Sequence, residues 1–269
     1  MNRRTVHLSK SRADWYSRVR YLYDLITVLT QKEIKIRYKS TWLGYLWSVA
    51  NPLAFALLYF VAFRVFMRVE IPDYPLFLVA GLFPWQWLAN SITLSPIIFL
   101  QNAPLLKKMR FPRHILVATT VMNDAFHFIL SIPVICVFLL FYGFIPSWRW
   151  LIGIPVLVLA QFMFVYGLSL AIASLNLFFR DLERLTVLLV TFLFFLTPIV
   201  YPTSMIPAEY QRLLYLNPVV PLFVSWRELF LSGRLHWGLI AVAYAYAVLA
   251  LGLGVLVYRK LCWKFAEVV

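Results

Sequence analysis

The chain has 269 residues, of which 62% are apolar and only 13% charged, with a mean hydropathy of +0.79. A soluble domain of this length carries about a quarter charged residues, so the composition excludes an ordinary soluble protein and leaves little room for a soluble domain beside a membrane-embedded one. The net charge of +14 would suit a nucleic-acid binder, but no base-reading module is visible, and in a membrane protein surplus Lys and Arg mark cytoplasmic loops and meet anionic lipid.

Residues 1–21 form a basic tail with no apolar core behind it, so no cleavable leader is expected there. From Leu22 the pattern becomes helical. Leu22, Leu25, Ile26, Leu29 and Ile36 fall on one face, and Asp24, Gln31, Lys35 and Lys39 on the other. This predicts an amphipathic helix within residues 22–43, lying along the cytoplasmic leaflet. A first span follows at 44–63, kinked at Asn51-Pro52, where proline removes a backbone donor. The second, at 75–100, is interrupted at Pro84 and Pro96 and supplies Trp85 and Trp87 to a membrane interface.

A polar, basic loop, 101–114, leads to a third span at 115–142, most apolar from Ala125 onward. After a tight turn comes the fourth span, 150–175, then a charged connection, and the fifth span, 185–201, which breaks at Thr197-Pro198 and again at Tyr201-Pro202. Two amphipathic pieces, about 206–216 and 219–231, are parted by Asn217-Pro218. A bilayer crossing takes about 20 apolar residues, so neither piece crosses. Both are too apolar for a free loop, and the pair reads as re-entrant helices at the mouth of a pore. The sixth span is 237–258, and a basic tail, 259–269, closes the chain.

Six spans put both termini on one side. The loops on that side hold 19 of the 25 Lys and Arg residues, and the opposite loops hold 6. The positive-inside rule therefore places both termini in the cytoplasm. The expected fold is an all-α integral membrane protein with a transmembrane domain over 44–258.

Titratable groups are scarce. Asp124 and His127, three apart on one helix face beside Asn123, form either an acid–base pair or, the stronger reading, a hydrogen-bonded packing pair. Arg180, Asp181, Glu183 and Arg184 alternate in sign at a membrane boundary, either as a solvated connection or as a cytoplasmic pivot for the fifth span. Cys136 and Cys262 belong at different depths, so no disulfide is expected, and no metal-ligand spacing exists. The phosphate-cradling Gly-x-x-x-x-Gly-Lys-Ser/Thr pattern occurs nowhere, so any ATP must be bound by another chain. Aromatic residues make up 18% of the chain. Most serve interface belts and packing, but Trp42, Tyr45 and Trp47 at the inner end of the first span, Tyr59 further along it, and Phe192, Phe194, Phe195 and Tyr201 along the fifth are candidates to line a conduit. Flat rings contact sugar C–H faces without fixing one hydrogen-bond geometry.

Five stretches then occur in a recognisable order: KEIKIRYKSTWLGYLWSVANPL (32–53), AGLFPWQWLANSI (80–92), NAPLLKKMRFPRHIL (102–116), LNLFFRDLERL (175–185) and LTPIVYPTSMIP with LNPVVPL (196–222). Together they resemble the permease subunit of the ABC-2 type transporters that export O-antigen, capsule or teichoic acid polysaccharides. The resemblance covers about residues 25–265 and leaves 1–21 unmatched. It implies a homodimer with two copies of a separate ATPase, which holds the ATP and Mg, so that this chain carries no cofactor. It implies export of an undecaprenyl- or otherwise lipid-linked glycan across the bacterial inner membrane. It further implies a cytoplasmic gate helix before the first span, a coupling helix in the 101–114 loop and external gate helices after the fifth span.

On that reading Lys32, Lys35, Arg37 and Lys39 attract linker phosphates. Leu105, Leu106, Lys107, Lys108, Met109, Arg110, Phe111 and Arg113 dock on the ATPase. Three rivals share parts of the pattern: an ABC-2 exporter of small amphipathic drugs or lipids, which favours a closed apolar pocket; a membrane glycosyltransferase, which needs an acidic metal or sugar-nucleotide site; and a non-transporting scaffold.

Overall fold

The computed structural model describes residues 20–21, 24–32, 44–108 and 111–265, apart from the side chains of Tyr45, Ser48 and Arg212. Among the described residues every regular element is helical. Residues 24–32 are helical, with Leu29 buried, Leu25 and Ile26 half-buried, and Asp24 and Gln31 exposed, as the periodicity predicts for these positions; Leu22, Lys35, Ile36 and Lys39 lie outside the described residues. A 3-10 turn, Gly44–Leu46, leads into α1 (Trp47–Tyr59), which continues as a π-helical stretch, Phe60–Phe66. The expected first loop therefore starts later than Arg64. The chain turns at Arg68 and Asp73, both left-handed, with φ of 54° and 47°.

Helix α2 (Tyr74–Leu94) is the hub. Fifteen of its residues are buried, and it packs against α1, α5, α6, α7 and α9. Pro84 lies inside α2 without ending it, whereas Pro96 opens a 3-10 turn, Ser95–Ile97, before the short α3 (Ile98–Gln101). The following loop contains α4 (Ala103–Lys108). Helices α5 (His114–Phe141) and α6 (Trp150–Asn176) form a hairpin that turns at Gly143, with φ of +77°. Then come α7 (Leu182–Leu196), α8 (Ala208–Leu214), α9 (Val220–Ser232) and α10 (Trp237–Leu261).

Among the described residues, four helices are long and apolar enough to cross a membrane: Val49–Phe66, His114–Phe141, Trp150–Asn176 and Trp237–Lys264. The expected second and fifth spans are of another kind. Helix α2 is diluted by Gln86 and Asn90, half-buried and hydrogen-bonded to each other at 2.7 Å, and by the buried Ser91. Helix α7 has 15 residues, about 22 Å at 1.5 Å per residue, against a hydrocarbon core of about 30 Å. It stops at Thr197, in extended backbone, rather than running on to Tyr201.

The two tryptophans of α2 also depart from expectation. Trp85 and Trp87 are buried in the bundle rather than placed at a lipid interface, packed on Phe194, Phe223 and Phe128. Hydropathy does not distinguish a ring facing a neighbouring helix from one facing lipid.

Two devices fix the bundle. Helices α6 and α10 meet along small residues: α10 buries Ala243, Ala247, Ala250 and Gly254 on one face. A Cβ at Gly254 would run into the backbone of Gly167, and one at Gly167 into the backbone of Ala250 and Leu251. Close backbone approach of this kind drives helix association in lipid. The second device is a buried polar bridge. Gln161 of α6 donates to the Pro84 carbonyl of α2 at 2.8 Å and accepts from Trp226 Nε1 of α9 at 2.6 Å. An unpaired amide there would cost a full desolvation penalty, so the bridge selects one arrangement of three helices.

Candidate functional site

Helix α7 buries a single stripe, Thr186, Val190 and Phe194, spaced by one helical turn. Around that stripe it exposes Leu185, Leu188, Leu189, Phe192, Phe195 and Leu196. Helix α1 does the same, leaving Trp47, Phe55, Leu57 and Leu58 uncovered. The two helices meet through Tyr59 and Phe194, whose rings are 5.3 Å apart. Phe194 also contacts Trp85 at 5.4 Å and Phe195 at 5.2 Å. Two adjacent helices of the protein thus carry broad apolar faces that no other described element covers.

The sequence-selected aromatics divide accordingly. Phe194 is a packing residue, buried between α1 and α2. Tyr59 is half-buried. Tyr201 turns back to donate from its hydroxyl to the Phe195 carbonyl at 2.7 Å, closing the end of α7. Phe192, 65% exposed, Phe195, 57% exposed, and Trp47 face outward. Trp42 and the side chain of Tyr45 lie outside the described residues.

Beyond Leu196 the chain unwinds across 197–201, between prolines that cannot donate, and leaves a row of carbonyls in need of partners. Three side chains supply them. Arg227 of α9 donates to Pro198 O at 2.6 Å and Ile199 O at 2.8 Å, with its guanidinium 3.7 Å from the centre of the Phe77 ring. Tyr74 donates to Val200 O at 2.8 Å. Asn217 donates to Leu196 O at 3.2 Å and to Thr197 Oγ1 at 3.0 Å. Gly81 leaves room for the clamp: a Cβ there would sit 2.8 Å from Arg227 Nη2 and 3.1 Å from the Ile199 carbonyl oxygen. This clamp was not anticipated. The signal for it was an arginine, with a glutamate beside it, in the largely apolar run VPLFVSWRELF, since an ionisable group in such a setting marks a function or a buried partner.

At the opposite end of α2, Lys32 Nζ donates to Asn102 Oδ1 at 3.1 Å, and Asn102 Nδ2 donates to Ile98 O at 2.9 Å. The amphipathic segment is thereby tied to the start of the basic loop. Lys35, Arg37 and Lys39 lie outside the described residues. On α4, Lys107 and Lys108 are exposed, while Leu105 and Leu106, with Phe111 beyond, pack against the core. Met109 and Arg110 lie outside the described residues. Arg113 is not a free surface cation: its Nη1 donates to the Cys262 carbonyl at 2.7 Å.

Arg180, Asp181, Glu183 and Arg184 are all exposed where α6 passes to α7. Asp124 is buried and accepts from Ser91 Oγ at 2.7 Å, and His127 and Asn123 are buried beside it. That geometry joins α5 to α2.

Residues 24–231 match the family model described as ABC-2 type transporter. The chain is 46% identical over 248 residues, 92% of its own length and 96% of the relative's, to an O-antigen export system permease protein RfbA of Klebsiella pneumoniae. It is 38% identical over 222 residues, 81% and 85% of the two lengths, to the protein of the same name from Myxococcus xanthus. A more distant relative, at 24% over 241 residues, is the polysialic acid transport protein KpsM of Escherichia coli, with 87% and 92% of the lengths aligned.

Proposed function

The chain belongs to the ABC-2 type transporter family, and on that footing we propose that it is the permease subunit of an ATP-driven exporter carrying a lipid-linked polysaccharide, of O-antigen type, out across the inner membrane. The relatives named for O-antigen and polysialic acid transport favour a glycan over a small amphipathic drug. The structural observation that carries the reading is the pair of uncovered apolar faces on α1 and α7. A second copy of the chain supplies the matching faces, and the conduit runs between the copies. Trp47, Phe192 and Phe195 line it, offering ring faces to sugar C–H surfaces.

In this arrangement both termini are cytoplasmic and the chain crosses six times. Helices α2 and α7 cross as parts of the packed bundle, while α8 and α9 re-enter from the outside. Lys32, with Lys35, Arg37 and Lys39, meets the linker phosphates at the inner leaflet. Lys107 and Lys108 face one of two copies of a separate ATPase, which binds ATP and Mg. Arg180, Asp181, Glu183 and Arg184 form the inner pivot of α7. The clamp of Arg227, Tyr74 and Asn217 holds the outer mouth in shape.

The ring-lined conduit has a direct test. Replacing Phe192 and Phe195 together by Ala removes two sugar-facing rings, at about 1 kcal/mol each. Surface glycan is expected to fall about tenfold or more at unchanged chain level, and Tyr at both positions restores it. Normal export by the double Ala variant would place those rings against lipid.

A further inference from the structure

The end of the bundle that carries the basic loop contains a contact set used neither by the conduit nor by the ATPase-facing lysines. Helix α10 ends at Leu261, and one 3-10 turn, Cys262–Lys264, folds the chain back so that Phe265 is only 1% exposed. Trp263 in the same turn points outward, its Nε1 donating to Lys260 O at 3.1 Å, with the Lys264 ammonium 4.9 Å from the centre of its ring. The Phe265 ring lies 5.0 Å from Phe99 and 5.9 Å from Tyr258. The Arg113 guanidinium is 5.7 Å from the centre of the same ring, and its Nη1 holds the Cys262 carbonyl. His114 meets the edge of Tyr258 at 5.8 Å.

Phe99 stands just before the 101–114 loop, and Arg113 and His114 close it. The C-terminal turn therefore grips both ends of the loop that bears Lys107 and Lys108. The carbonyls at a helix C-terminus have no intrahelical donor and carry the negative end of the helix dipole. Arg113 answers both needs at Cys262, and Phe265 fills the space between the two arms of the loop.

We propose that Phe265 and Arg113 form the joint through which the last membrane helix moves with the ATPase-facing loop. The inference rests on reading that loop as the docking surface. A buried ring packed between two chain segments does not let them slide independently, because close-packed groups shift as units. Helix α10 is in turn locked to α6 along the Gly167–Gly254 contact. A stroke delivered at Lys107 and Lys108 thus displaces α6 and α10 as one body. The Gln161 bridge to the Pro84 carbonyl passes that displacement on to α2, on which α1 and α7 pack. Phe265 and Arg113 touch no substrate; they are positioning residues.

The test uses the full chain in complex with its ATPase, with Cys136→Ser and Cys262→Ser as background. Spin labels are placed at Gln101→Cys and Lys264→Cys, both exposed. The joint predicts one label-to-label distance distribution in the nucleotide-free and ATP-trapped states, and a distribution that shifts or broadens on ATP binding once Phe265→Ala is added. In export assays Phe265→Ala retains the bound, hydrolysing ATPase and lowers glycan exported per ATP consumed by about tenfold, within the range of single-residue effects on coupling. Phe265→Leu restores most of that ratio.

Arg113→Ala lowers the ratio and Arg113→Lys partly restores it, which carries the test if Phe265→Ala does not assemble. A distance that changes between states in the unaltered turn, or a full export ratio in both alanine variants, overturns the proposal. Glycan export that survives deletion of the whole chain refutes the exporter reading instead, and the distance measurement is independent of that outcome.

Discussion

Arg227→Ala is expected to destabilise the protein by about 3 kcal/mol, because two charge-assisted bonds to the unwound segment vanish at roughly 1.5 kcal/mol each. The carbonyls of Pro198 and Ile199 lose their donor together, and Phe77 loses the guanidinium lying over its face. Proline at 198 and at 202 prevents the segment from recovering those bonds by rewinding as helix. The detergent-purified variant should melt roughly 5–10 °C lower. Arg227→Lys should recover less than half of the loss, since a single ammonium does not reproduce the planar fork that spans two carbonyls. An unchanged melting temperature for Arg227→Ala would mean that the 197–201 segment holds its shape without the clamp. Export should fall further than stability alone explains, because the clamp joins the end of α7 to α9.

Gly254→Leu should remove nearly all folded protein, whereas Gly252→Leu should leave it unaffected. The two glycines lie on the same helix, two residues apart. A Cβ at Gly252 meets nothing within 4 Å, while one at Gly254 collides with the backbone of Gly167. Backbone atoms cannot yield as a side-chain end can, so α6 and α10 must separate. Overpacking of this kind costs about 1–3 kcal/mol in ordinary cores and more where a backbone is in the way. In lipid the hydrophobic effect does not compensate, since separated helices gain apolar neighbours on both sides. Fluorescence-detected gel filtration of tagged chains reads both variants side by side. A monodisperse peak of normal height for Gly254→Leu would show that the seam is looser than its geometry implies.

Much of the helical order was legible in the amino-acid sequence, for reasons visible in particular residues. Thr197-Pro198 and Tyr201-Pro202 end α7 and Asn217-Pro218 separates α8 from α9, because proline and the residue before it resist the helix. Gly143 and Gly233 turn the chain with left-handed backbone, φ +77° and +61°, that few other residues tolerate. What hydropathy did not reveal was the side each helix presents to protein. Trp85 and Trp87 have the composition of an interface belt yet fill the core. Phe194 and Phe195 are adjacent in sequence, but one is buried and the other faces outward, a difference set by the stripe of α7 that meets α2. Likewise Arg113 belongs to a basic run that reads as a docking surface, and only the fold of the C-terminal turn brings the Cys262 carbonyl within its reach. Long-range polar partners such as Gln161 with Trp226, or Arg227 with Pro198, leave no local periodicity to detect.

As an ABC-2 permease, this chain is expected to move a glycan only when a separate ATPase drives it. The direct measurement is reconstitution of the purified chain, its ATPase, or both into liposomes carrying a labelled lipid-linked glycan, scoring label that becomes accessible to an enzyme on the far side. ATP-dependent transfer is expected with both proteins present, none with either alone, and no nucleotide hydrolysis by the chain by itself. Hydrolysis by the isolated chain, or equal transfer with and without ATP, would contradict it.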